Sequence, residues 1–298
     1  MKIFFETILT GLSSGSIYAL MALALVLVWR STRVVNFAQA GQAIISTYIG
    51  YEAMFHLHNY WYSVAVAIVA GAILGAAVEG LVMRPLGKRV RGTAASDIAP
   101  VIATLGILGL IRSVAGLIWG NTFVQYPSPL SSKGYTIGST VIQFSPLNAV
   151  IVIGAALVML AFALLFNYTR LGLALRASSF QPEISRLAGI RVDRIRLVGW
   201  ACAGAAGAVA GALVTPTSYL SPNSLDLLLV SGFVAAVIGG LDSLVGAVVG
   251  GIVLGIGFAF ILQYIGASVT FLAGFIILIF VLLVKPAGIM GKRGGRSA

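Results

Sequence analysis

An all-α, polytopic membrane helix bundle of roughly eight transmembrane helices is the fold this sequence predicts, on three observations. Hydrophobic residues make up 59% of its 298 and charged residues only 9%, whereas soluble domains carry about 25% charged residues. Apolar runs of about 20 residues, the length a helix needs to cross a bilayer, recur along the chain. Basic residues gather in the short segments between alternate runs, the pattern of loops held on the cytoplasmic face. The net charge of +11 therefore reads as a topology signal, and nucleic acid is not an expected partner. The single cysteine, Cys202, lies in an apolar run and excludes an internal disulfide.

The first span covers about residues 7–29 and is followed at once by Arg30 and Arg33, the wrong order for a cleavable signal peptide. A retained helix with its N-terminus outside is expected, and Gly11 and Gly15, four apart, mark it as closely packed. The second span opens near Val35 with NFAQAGQAIISTYIGY. Asn36, Gln39 and Gln42 fall at i, i+3, i+6 beside Gly41, and polar side chains at membrane depth must face protein or water. This stripe either lines a solute path or binds neighbouring helices together. The outer loop FHLHNYW holds His56 and His58, but without a third ligand they read as part of an interfacial aromatic belt, and no metal is expected.

The third span, residues 63–83, carries Glu79 near its end and runs into Arg84, Lys88, Arg89 and Arg91 on the cytoplasmic side. The fourth, 98–119, contains Arg112, expected to snorkel outward or to face a polar vestibule. An outer segment, 120–146, alternates over YTIGSTVIQF as a short hairpin would. The fifth span is 147–168 and the sixth 197–214, with Gly207 and Gly211 again four apart.

Between these two spans lies a cytoplasmic insert, residues 170–196, with six arginines: Arg170, Arg176, Arg186, Arg191, Arg194 and Arg196. Pro182 suits a first helical turn, Glu183 complements the N-terminal dipole and Gly189 is a C-terminal stop, so a short helix is expected over 181–188. Ile184, Leu187 and Ala188 share one face. That ridge either seats in a groove of a soluble partner or packs on the ends of its own helices.

From 227 to 284 the chain is almost wholly apolar, broken by GGLDSLVG and QYIGAS. Lys285, Lys292, Arg293 and Arg296 place the C-terminus in the cytoplasm. The chain leaves the sixth span outside, so an odd number of further crossings is required. Three short spans give nine in total; one full span plus a re-entrant or broken pair within 227–265, hinged at Gly239, Gly240 and Asp242, gives seven. A broken helix with an acidic end is also a feature that lines transport sites. The whole chain, 1–298, reads as one integral-membrane permease domain.

The sequence has no Gly-x-x-x-x-Gly-Lys-Ser/Thr loop and no His-Glu-x-x-His, so enzymatic activity is not expected and any driving energy comes from elsewhere. Glu79 and Asp242 make a poor proton relay, which disfavours a secondary carrier.

Six stretches in order, GLSSGSIYALMALAL, VNFAQAG, Glu79 with Arg84 and Pro85, the insert, AAVIGGLDSLVGAVVGGIVLGI and KPAGIMG, carry a resemblance. Over nearly its whole length the chain resembles the smaller permease subunit of ATP-binding-cassette importers for branched-chain and other hydrophobic amino acids. The resemblance implies a multi-pass protein of the bacterial inner membrane and no cofactor. It also implies a second permease, two cytosolic ATPase subunits and an extracytoplasmic substrate-binding protein as partners. The insert is similar in place to the coupling helix of such importers, which assigns ATPase contact to Pro182, Glu183, Ile184, Arg186, Leu187, Ala188 and Gly189. Asn36, Gln39, Gly41, Gln42, Gly239, Gly240 and Asp242 are the candidates for the substrate path. One departure is notable: after NFA the family often has His-Gly-Glu or Gln-Gly, whereas here Ala40 separates Gln39 from Gly41. Permeases for urea, short amides or sugars share the same topology, and a stand-alone channel or carrier is the other reading.

Overall fold

A computed structural model describes residues 2–90, 92–137, 140–285 and 287–291. Arg91, Gly138, Lys292, Arg293 and Arg296, on which part of the topology and turn expectation rests, lie outside them. Helix α1 (Lys2–Thr32) is the central post. Its middle is apolar on every side, and from Ala19 to Val28 it is almost completely buried, as befits a helix surrounded by others. A short link leads to α2 (Gln39–Leu57), and a two-residue turn to α3 (Tyr60–Ala77), whose N-cap Asn59 accepts from the Trp61 amide. Six residues of π-helix (Val78–Met83) join α3 to α4 (Arg84–Val90), which carries the same rod beyond the membrane. Then come α5 (Ala99–Trp119), strand β1 (Val124–Gln125) and the hairpin of β2 (Tyr135–Ile137) with β3 (Thr140–Ile142). The hairpin matches the alternation of the outer segment.

Helix α6 (Pro146–Tyr168) returns the chain to α7 (Arg170–Phe180) and the short α8 (Pro182–Leu187). Helix α9 (Val192–Val214) climbs back to strand β4 (Tyr219–Leu220), which pairs antiparallel with β1 over the outer end. The chain closes with α10 (Asp226–Gly239), α11 (Leu244–Tyr264) and α12 (Ala267–Val284).

Small residues set the helix spacing. Gly11 and Gly15 of α1 lie against Ile256 and Ile252 of α11, and Gly71 and Gly75 of α3 against Gly204 and Trp200 of α9. In each pair the numbers rise on one helix as they fall on the other, so both pairs are antiparallel, as is α10 with α11. Among the described residues, seven helices are long and apolar enough to cross a membrane. Helix α2, too polar, runs beside them, and the shorter α10 runs antiparallel to α11 from the level of Arg112 to the basic end, so nine helices of the described residues alternate in direction. The turn after α10 sits at the basic end: Asp242 pairs with Arg33 and accepts from Trp29 Nε1 at 3.3 Å, both at the end of α1. Of the two arrangements the sequence allowed, three spans after α9 is the one formed.

Candidate functional site

At the basic end, α8 is a helix of one and a half turns with well-defined limits. Pro182 occupies its first turn, and it stops in a Schellman arrangement: Ile190 N–H donates to Ser185 O at 2.9 Å and Gly189 N–H to Arg186 O at 3.0 Å. Gly189 has φ +81, a left-handed conformation in which a side chain is strained, which is why glycine stands there. Ser185 faces inward, while Ile184 and Leu187 are 58% and 88% exposed and Ala188 is exposed beside them. The ridge therefore does not pack on the ends of its own bundle.

Asp193, in the first turn of α9, links α8 to its neighbours. Its two carboxylate oxygens take Arg84 Nη2 at 2.6 Å and Arg186 Nη2 at 3.6 Å, so one acid ties α4, α8 and α9 together. Sequence reasoning assigned Asp193 no such role; its signal was an acid at a helix start among arginines. Beside it opens a cleft of about 930 Å³, bordered by Arg84, Lys88, Gln181, Glu183, Arg186 and Arg196. Directly beneath, Glu79 is 2% exposed within the π turn, with Oε2 lacking a partner among the described residues. The Arg84 amide donates to Glu79 O five residues back, the wide turn that marks a π-helix.

The amide stripe is wholly inside the bundle: Asn36 and Gln39 are fully buried and Gln42 almost so. Asn36 Nδ2 donates to Gln39 Oε1 at 3.1 Å and to Gln42 Oε1 at 3.3 Å, and Gln39 Nε2 donates to Ala203 O of α9 at 2.9 Å. Gly207 makes the room, since a Cβ there would strike the Gln39 amide. Asn36 Oδ1 and Gln42 Nε2 have no partner among the described residues. Gly41 packs against Ile111 and Leu108 of α5. In this conformation the stripe joins α2 to α9 rather than facing open space.

Gly239, Gly240 and Asp242 form a separate group. Gly239 lies against Gly246, Gly240 turns with φ +103 under the chain at Ala287 and Gly291, and Asp242 bonds to α1. The Met290 amide donates to Gly239 O at 3.0 Å, so the tail covers this turn. The two groups approach through Phe37, whose ring lies 6.3 Å from that of Phe233 on α10. Arg112 does not stand alone: it donates to Asp226, the first residue of α10.

Comparison with known proteins gives these helices a context. A probable branched-chain amino acid transport permease protein, LivH, of Methanocaldococcus jannaschii is 31% identical over 297 residues, covering 93% of this chain and 89% of its own. The high-affinity branched-chain amino acid transport system permease protein LivH of Escherichia coli (strain K12) is 28% identical, with 97% and 96% covered. An autoinducer 2 import system permease protein, LsrC, of Yersinia enterocolitica is 29% identical over 165 residues, covering 53% of this chain and 44% of its own. Among solved structures, PsaBC from Streptococcus pneumoniae in complex with Fab has a TM-score of 0.52 over 96% of this chain and 93% of that one. At 13% identity that likeness concerns the fold alone. The match to the branched-chain amino acid transport system permease component runs from residue 7 to 284, and the chain belongs to that family.

Proposed function

We propose that this chain is the permease of an ATP-binding-cassette importer that carries branched-chain or other hydrophobic amino acids. It works with a second permease, two cytosolic ATPase subunits and a binding protein that delivers solute from outside. The observation that carries the ATPase-driven reading is the exposed ridge of Ile184, Leu187 and Ala188 on a helix braced by Asp193. An apolar ridge on a rigid short helix suits a groove on a soluble partner. Pro182 and Gly189 set its ends, and Glu183 and Arg186 on its flanks add polar contacts at the rim.

Closure of the ATPase pair then moves α8 and, through Asp193, the ends of α3 and α9 together. The bundle alternates between outward and inward access. Asn36, Gln39, Gln42 and Gly41, with the turn at Gly239, Gly240 and Asp242, are the parts of the path that exchange partners as α2, α9 and α10 shift. Asn36 Oδ1 and Gln42 Nε2, buried and without a partner among the described residues, support this, because an unsatisfied buried polar group is costly and a rearrangement that gives it a partner is favoured.

Uptake of radiolabelled leucine into membrane vesicles holding the full complex tests the reading. The wild type accumulates leucine on ATP addition, and Leu187→Glu, which puts a charge on the ridge, loses both uptake and ATPase retention. Normal transport by Leu187→Glu refutes the docking assignment. A wild type that ignores leucine but takes up urea, a short amide or a sugar refutes the amino-acid assignment.

A further inference from the structure

We infer that Arg112 and Asp226 form the polar subsite for a zwitterionic α-amino acid, Arg112 taking the carboxylate and Asp226 the ammonium, an inference that rests on the amino-acid reading above. Two independent lengths put the pair at one depth. Arg112 lies 13 residues into α5, about 20 Å from its cytoplasmic start at 1.5 Å per residue. Helix α10 has 14 residues, so Asp226 stands about 20 Å above the cytoplasmic turn. Both fall in the outer half of a hydrocarbon core about 30 Å thick.

At that depth the two side chains are 32% and 33% exposed. Ionised groups are not left facing lipid, so the exposed side of this pair faces a polar path or a neighbouring subunit. The pair is also incompletely satisfied. A guanidinium has five donors, and Arg112 Nε is buried with no partner among the described residues. Asp226 sits in the first turn of α10.

The charge arithmetic selects the ligand class. One arginine, one aspartate and a zwitterion sum to zero, so the internal ion pair opens into two external ones without leaving an unbalanced charge in the membrane. An amine or a carboxylic acid alone leaves one partner unpaired, which at such a site is strongly unfavourable. An apolar side chain has a place to go. On the cytoplasmic side of Asp226 the free edge of α10 continues as exposed Val230 and half-buried Phe233, which meets Phe37. One turn below Arg112, Gly109 faces open space.

The test uses the assembled complex. The double variant Arg112→Gln/Asp226→Asn replaces both charges with neutral amides, so neither is left unpaired; it is expected to copurify with the ATPase subunits while leucine uptake falls at least tenfold. A second measurement leaves the pair intact: in a Cys202→Ser background, the rate at which a small methanethiosulfonate modifies Gly109→Cys is followed with binding protein, with and without leucine. Leucine is expected to slow it at least threefold. Wild-type leucine uptake together with wild-type uptake by the double variant overturns the subsite and leaves the proposed function standing. Absence of protection at Gly109→Cys overturns it too, including where the double variant does not assemble. A wild-type complex that takes up no α-amino acid sinks the subsite and the proposed function together.

Discussion

Gln39 illustrates how one side chain holds two helices. Its amide nitrogen reaches Ala203 O across the space that Gly207 leaves, and its amide oxygen accepts from Asn36. Gln39→Leu deletes both bonds and leaves an Asn36 donor with one partner fewer, at a cost of about 1–3 kcal/mol. The expected result is a lower thermal midpoint in detergent for Gln39→Leu and none for Leu187→Glu, whose site is exposed and whose effect on the isolated chain lies within about 0.5 kcal/mol. Equal midpoints for Gln39→Leu and the wild type would remove the bridging role. Gln39 and Gln42 were legible as one face of α2 because helical period fixes which residues share it, whereas Asn36 stands in the link before the helix and joins them by folding back onto both amides. What that face meets was not legible, since Gly207 and Ala203 are more than 160 positions away and an apolar Gly/Ala helix offers no local sign that it accepts an amide.

The elements were legible where local chemistry sets them and obscure where packing does. Pro182 and Gly189 bound α8 because proline suits a first turn and glycine a left-handed stop, and both act through their own backbone. The π turn over Val78–Met83 has no such local signature; a helix rich in small and apolar residues gives no warning that one turn will widen around a buried Glu79. The stop at Gly189 can be tested in isolation, because a Cβ there meets no neighbour within 4 Å and only the backbone conformation is strained. Gly189→Ala disfavours the left-handed turn by roughly 1–2 kcal/mol. We expect at least about fivefold weaker binding of the ATPase subunits to the purified permease, with Gly189→Asn closer to wild type because asparagine tolerates that region. Equal binding by all three proteins would mean that the ridge is not held by its C-terminal stop.

At the scale of the whole molecule, the run from 227 to 284 is the part that composition could not divide, because hydropathy alone treats a short recessed helix and half of a long one alike. Helix α10 has 14 residues, fewer than the roughly 20 that a helix facing lipid requires. It can be short because it does not cross lipid alone: most of it is buried against α1 and α11, and its upper end stops at Arg112 instead of reaching the outer surface. The β1–β4 pair and the connection after it fill the outer end above. This arrangement puts Asn223 and Ser268 outside and Asp242 in the cytoplasm, whereas a re-entrant pair hinged at Gly239 and Gly240 would leave Asp242 short of the cytoplasmic surface. Single cysteines at the three positions in a Cys202→Ser background, reacted with an impermeant maleimide in right-side-out and inverted vesicles, separate the two. The Arg33 partnership of Asp242 is half exposed and worth about 1 kcal/mol or less, so Asp242→Cys leaves the fold intact. Labelling of Asn223→Cys and Ser268→Cys from outside and of Asp242→Cys only from the cytoplasmic side is the expected outcome. If Asp242→Cys reacts from outside, or from neither side, the nine-pass path is wrong, and with it the depth at which α10 sets Asp226 opposite Arg112.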